Sequence, residues 1–223
     1  MTKLTTVVWD WNGTLLDDVQ VSYRTVNRVL AQNGYAPIPD LETYRAKFCF
    51  PIIQYYRNVG FDFERTPFET VAQEYMDLYH PAAESCALQE GAEAALGALR
   101  EAGLRQVLLS ASLQAHLELQ VARTPIRPYF DRLLGIGDIY AASKQELARA
   151  FLREAGLDPA SVLFVGDSAH DFEVAQGCGC PCVLFSGGHQ PHAVLAATGS
   201  PVIAALSELP PLLSSSFLKA SPL

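Results

Sequence analysis

Four short apolar runs each stop at a polar residue in turn-forming company, and this pattern constrains the fold more than any other feature of the chain. Leu4-Thr-Thr-Val-Val-Trp9 stops at Asp10-Trp-Asn-Gly13, and Arg105-Gln-Val-Leu-Leu-Ser110 stops at its own serine. Ser161-Val-Leu-Phe-Val165 stops at Gly166-Asp167, and Cys182-Val-Leu-Phe185 stops at Ser186-Gly-Gly188. Val202-Ile203 is a short fifth run. β-Branched and apolar residues bounded by turn formers read as strands. Strands with almost no polar alternation are buried on both faces, which is the habit of parallel sheets.

Helical patterns separate these runs. Ala92 to Ala102 carries Leu96 and Leu99 and closes at Gly103; Gln145 to Ala155 carries Leu147, Ala148, Phe151 and Leu152 and closes at Gly156. A glycine just past a periodic segment is a helix stop. Alternating strands and helices predict an α/β protein with a Rossmann-like, doubly wound parallel sheet. Ligands of such sheets bind at the carboxyl ends of the strands.

The interval 16–84 differs. It has no convincing strand and most of the aromatic residues. Val19 to Asn33, Asp40 to Phe48, Ile52 to Asn58 and Pro67 to Tyr79 read as helices. The expected organisation is an α/β core made of residues 1–15 and 85–223, with a helical domain inserted at 16–84. The tail from Ser214 reads as frayed.

Composition excludes several function classes. Sixteen Lys and Arg against 24 Asp and Glu give a net charge of -8, which repels phosphate backbones and argues against nucleic-acid binding. No apolar run reaches the roughly 18–20 residues of a membrane helix, and Met1-Thr-Lys-Leu4 lacks a signal-peptide core. A cytoplasmic protein is expected, and an odd count of five cysteines fits reduced thiols. Cys178-Gly-Cys-Pro-Cys182 invites a metal reading, but no second ligand pair accompanies it. Small residues entering a buried strand is the reading taken.

The chemistry gathers at the strand ends. The first offers Asp10, Asn12, Gly13 and Thr14, the second Ser110, and the third Asp167 with Asp171 four residues on; Lys144 opens a helix between them. Acidic strand ends set side by side repel one another unless a cation sits between them. A hard divalent ion with oxygen ligands suits such a place, magnesium best where phosphate is also bound. Ser110, nearby backbone amides and Lys144 are donors for an anion.

These residues resemble the four signature motifs of the haloacid dehalogenase superfamily, in its phosphatase branch. The motifs are Trp9-Asp-Trp-Asn-Gly-Thr-Leu-Leu-Asp-Asp18, Leu108-Leu-Ser110, Lys144, and Val165-Gly-Asp-Ser-Ala-His-Asp171. The helical insert sits where phosphoglycolate-phosphatase-like members carry a cap. The resemblance implies Asp10 as nucleophile, forming an aspartyl-phosphate. It implies magnesium (Mg2+) held by Asp10, Asp167 and the Asn12 carbonyl, with Asp171 as a direct or outer ligand. Ser110 and Lys144 would hold the phosphoryl oxygens, with Gly13, Thr14 and Ala111 beside them. The implied substrate is a small phosphorylated metabolite.

Asn12 departs from the family's pattern, which has a second Asp there to protonate the leaving group and then activate water. An amide cannot exchange that proton. Losing a general acid/base costs about 10²–10⁴ in rate, roughly 3–5 kcal/mol. Three readings follow: a slow phosphatase or one that recruits another acid, with His170 and His189 as candidates; a phospho-ligand binder with impaired turnover; and a phosphonate hydrolase using Lys47 for a Schiff base. Arg45 and Lys47, in Tyr44-Arg-Ala-Lys-Phe-Cys-Phe-Pro51, are also expected to meet an anionic group of the substrate.

Overall fold

The protein is described by a computed structural model covering residues 3–137 and 143–216. The chain runs β1 (Thr6–Trp9), then helices α1 (Val19–Gln32), α2 (Leu41–Lys47), α3 (Ile52–Val59), α4 (Phe68–Ala83) and α5 (Ala92–Glu101). β2 (Arg105–Leu113), α6 (Gln114–Ala122), β3 (Arg132–Ile136), α7 (Lys144–Glu154) and β4 (Val162–Gly166) follow. α8 (Ala169–Gly177), β5 (Cys182–Phe185), α9 (His192–Ala196), β6 (Val202–Ile203) and α10 (Leu209–Ser216) complete it.

The six strands form one sheet in the order β3-β2-β1-β4-β5-β6, and every neighbouring pair is parallel. The expected doubly wound sheet is therefore present. β1 lies centrally, where the winding reverses, and its carboxyl end is the place such a sheet offers a ligand. Side chains alternate between two cores, as strand geometry requires. Val7, Trp9, Leu163 and Val165 join one cluster; Val8, Val162 and Phe164 join the other. The buried Trp9 indole donates to Gln106 Oε1 at 3.1 Å, and Gln106 Nε2 donates to the Leu96 carbonyl at 2.9 Å, so the strand buries a tryptophan without an orphaned donor.

Four of the five expected strands start or end within a residue or two of their predicted limits. β2 runs on to Leu113 through a register shift against β3. β3 itself was not expected: it is a short edge strand whose Leu-Leu-Gly-Ile run, interrupted by a glycine, is only partly buried. Cys178, Cys180 and Cys182 are free and belong to the second core cluster, as the strand-entry reading has it. Of the tail expected to fray from Ser214, α10 continues to Ser216, and 217–223 lie outside the described residues.

Helices α1–α4 enclose a third cluster of their own, built on Val26, Leu30, Tyr44, Tyr55, Tyr56 and Phe61. The aromatic residues of the insert thus serve mainly as its core, with a chain of ring contacts such as Tyr35–Phe61 at 5.2 Å and Tyr75–Tyr79 at 5.5 Å.

Candidate active site

The strand ends of β1, β2 and β4 meet, and three carboxylates meet with them. One oxygen from each of Asp10, Asp167 and Asp171 lies within 4.8 Å of the others. Among the described residues no other such group of three metal-ligating side chains occurs. Backbone pairing fixes the first of them: Asp10 N donates to the Val165 carbonyl at 2.8 Å, locking the end of β1 to the end of β4. Thr14 Oγ1, fully buried, bridges Asp10 Oδ2 at 3.1 Å and Asp167 Oδ1 at 3.3 Å.

Two helix N-termini deliver the remaining charges. Ser143 caps α7 in a capping box with Glu146, which places Lys144 in the first turn. Ser168 caps α8 in a box with Asp171. Asp171 Oδ2 accepts from Ser168 Oγ at 2.6 Å, while Oδ1 accepts from Lys144 Nζ at 2.6 Å. Lys144 Nζ also donates to Asp10 Oδ1. One buried lysine therefore neutralises part of a three-carboxylate cluster and leaves an excess of negative charge.

That excess shows in the titration of the cluster. Burial, with Asp171 adding to it, pushes Asp10 up to about 6 against the pull of Lys144. Asp167, buried and facing Asp10 and Asp171, is pushed up to about 7, although His189 opposes this. Burial works against the charge of Asp171, yet Lys144 and Ser168 hold its carboxyl below the usual range. Burial likewise disfavours the Lys144 ammonium, but Asp10 and Asp171 overcome it and keep the amine charged. The two raised carboxylates are the ones a further cation would relieve.

Gly13 makes room for this packing. Its φ is +75°, and a Cβ there would stand 2.3 Å from Asp167 Oδ2. Its amide faces the other way, donating to Asp18 Oδ1 at 2.7 Å.

Asn12 is embedded in a network that the sequence does not reveal. Its Nδ2 donates to Asp18 Oδ2 at 3.1 Å and lies 2.7 Å from Tyr79 Oη; its Oδ1 accepts from Ser112 Oγ at 3.0 Å. Ser112 in turn pairs with Ser110, Oγ to Oγ at 3.0 Å. Asp18 also accepts from Tyr79 Oη at 2.5 Å and faces His189 Nε2 at 3.4 Å. His189 Nδ1 lies 2.8 Å from Tyr44 Oη, so both ring nitrogens are engaged. Burial disfavours the imidazolium, but Asp18 raises His189 to about 8. Burial would likewise raise Asp18, but His189, Tyr79 and Asn12 hold it low. Asp18 lies in the first motif without an expected role; its partners are up to 171 positions away (Asp18 to His189), and no local signal announces them.

A cavity of about 80 Å³ opens on the cluster. Asp10, Asn12, Ser110, Ala111, Lys144 and Asp167 line it, with Asp171 beside them. The expected site residues of the core are thus brought together, with Gly13 and Thr14 packed behind. Arg45 and Lys47 are not brought to it. Arg45 Nη2 donates to the Gly187 carbonyl at 3.1 Å, and Lys47 Nζ donates to the Asn58 carbonyl at 2.6 Å. From the insert, Phe48 and Phe50 line the cavity instead. Of the two histidines considered as replacement acids, both line it; His170 turns Nδ1 to Glu173 at 3.3 Å.

The haloacid dehalogenase-like hydrolase family matches residues 7–185, from β1 through β5, a span that holds Asp10, Asn12, Ser110, Lys144, Asp167 and Asp171 but ends before His189. The chain belongs to that family. Among its relatives, a phosphoglycolate phosphatase of Rhodobacter capsulatus is 24% identical over 82% of this chain and 85% of its own. A phosphoglycolate phosphatase of Cereibacter sphaeroides is 30% identical over 82% of this chain and 86% of its own. The crystal structure of a "predicted phosphatase" from Clostridium acetobutylicum superposes with a TM-score of 0.82, covering 96% of this chain and 100% of that one at 18% identity. The fold is that of a haloacid dehalogenase-like hydrolase, and the chain is phosphoglycolate-phosphatase-like.

The donor set also fits the family's divalent ion. All three groups are carboxylates, hard oxygen donors of the kind magnesium takes, and two of them hold their protons to about 6 and about 7.

Proposed function

We propose that the protein is a magnesium-dependent phosphatase that hydrolyses a small phosphorylated metabolite through an aspartyl-phosphate on Asp10. The observation that carries this is the pairing of Asp10 with Lys144 beside Asp167 and Asp171, at the mouth of a cavity that Ser110 also lines.

Asp10, Asp167 and the backbone of Asn12 would hold the ion, with Asp171 nearby, and the ion supplies charge stabilisation for the transferring phosphoryl group. Lys144 on Oδ1 and Thr14 on Oδ2 fix the Asp10 carboxylate for attack on phosphorus. The phosphorus–ester oxygen bond breaks as the carboxylate–phosphorus bond forms. Ser110 and Lys144 receive the charge that spreads over the phosphoryl oxygens. Water then cleaves the acyl-phosphate, releasing phosphate and restoring Asp10. The helical insert acts as a cap over this site, closing it from water.

Asn12 supplies no proton to the departing oxygen, so turnover is slow for poor leaving groups. Its hydrogen bonds to Asp18 and Ser112 support a second reading, a phospho-ligand binder with impaired turnover. The Schiff-base alternative gains nothing from Lys47, which is bonded outside the cavity. Five free thiols and an acidic surface fit a reducing, cytoplasmic setting.

The test is hydrolysis of 4-nitrophenyl phosphate with magnesium and with a chelator. Metal-dependent release of nitrophenol is expected. Rapid binding of phosphate esters with no release favours the binder.

A further inference from the structure

The two sides of the cavity differ in chemistry. The core side carries the carboxylates and Lys144, whereas the insert contributes two phenyl rings, Phe48 and Phe50. Phe48 stacks on His189 with ring centroids 4.7 Å apart and planes 20° apart. Phe50 stacks on His170 at 4.6 Å and 25°. Of the cations of the same segment, Arg45 gives Nη2 to the Gly187 carbonyl and keeps a buried Nε without a partner, Lys47 is on the Asn58 carbonyl, and neither lines the cavity.

A phosphoryl group held by the core side leaves the aromatic side for whatever is esterified to it. A carboxylate there would lose its water and meet no cation of the insert among the cavity-lining residues. An apolar or aromatic group would gain burial and ring contact. We propose that Phe48 and Phe50 select phosphate esters whose organic part is uncharged and apolar, and disfavour one bearing a carboxylate next to the ester. The proposal rests on the reading of the core side as a phosphoryl site. Phe50 is 38% exposed, so it can be replaced without opening a core.

Calorimetric titration in the presence of magnesium tests it, with benzylphosphonate, phosphonoacetate and inorganic phosphate as probes. Neither phosphonate carries a phosphate ester bond, so binding is read apart from turnover. Benzylphosphonate is expected to bind at least about ten-fold more tightly than phosphonoacetate. Phe50→Ala is expected to weaken benzylphosphonate at least about five-fold more than it weakens inorganic phosphate. Tighter binding of phosphonoacetate, lost on Arg45→Ala, overturns the proposal, and so does binding of neither phosphonate. Hydrolysis of 4-nitrophenyl phosphate separates the two readings. Turnover with a preference for phosphonoacetate keeps the phosphatase and removes the aromatic selectivity; no turnover with Phe50-dependent benzylphosphonate binding does the reverse.

Discussion

The side-chain amide of Asn12 donates to the buried carboxylate of Asp18 across 3.1 Å. The position where the family places a second acid is here built as a donor to a neighbouring carboxylate. An aspartate at position 12 would set a half-buried carboxylate against the buried one of Asp18, with Tyr79 already committed to Asp18 at 2.5 Å.

Asn12→Asp is therefore expected to destabilise the protein at pH 8 by about 2 kcal/mol. The loss should shrink towards pH 5, where the pair shares a proton. That proton bridges residues 12 and 18 and is not on the leaving group. Turnover of an alkyl phosphate should then gain less than about ten-fold, well short of the 10²–10⁴ a positioned acid provides. Denaturant melts at the two pH values and a rate measurement check this. A gain of about a hundred-fold would show that side chain 12 turns freely away from Asp18.

The raised carboxyls give a pH signature. Asp10 and Asp167 sit at about 6 and about 7, above the unfolded value of 3.8. A group raised in the folded state contributes stability below its unfolded pKa, and that contribution is lost as pH rises through the folded value. Without metal, the melting temperature should fall between pH 5 and pH 8. His189, raised to about 8 from 6.5, adds a loss in the same direction between those two pH values. Magnesium relieves the two carboxylates, so its stabilising shift should be larger at pH 8 than at pH 5.5, where protons compete for the same oxygens. Thermal melts with and without magnesium at both pH values read this directly. An equal shift at both would separate the metal from Asp10 and Asp167.

Gly13→Ala is expected to be costly, because a positive φ and a Cβ at 2.3 Å from Asp167 Oδ2 coincide there. The backbone contribution alone is of order 1–3 kcal/mol. Displacement of Asp167 should also weaken magnesium binding, which a metal titration would show. A variant with natural stability and metal affinity would mean that the turn relaxes without moving the carboxylate.

The sheet and much of the core side of the site were legible because Asp10 and Asp167 directly follow the apolar strands β1 and β4 and Ser110 closes the apolar part of β2, while Lys144 opens a recognisable helix. β3 was not, since an edge strand needs only a few half-buried residues. Asp18 was not, since its meaning lies in Tyr79 and His189, which reach it only through the fold, as well as in the nearby Asn12. Arg45 and Lys47 show the opposite limit. Their place in the chain suggests a substrate contact, but side-chain direction is set by packing, which turned Lys47 to a carbonyl of the insert, Arg45 to the Gly187 carbonyl of the core, and Phe48 and Phe50 to the cavity.

The central claim is that Asp10 takes the phosphoryl group. The most direct measurement is intact-protein mass spectrometry after mixing with magnesium and acetyl phosphate and quenching in acid, beside Asp10→Asn. One added phosphoryl group of about 80 Da on the natural chain, mapped by peptide analysis to Asp10 and absent from Asp10→Asn, is the predicted result. Phosphorylation that persists in folded Asp10→Asn, or equal turnover by the two proteins, would contradict it.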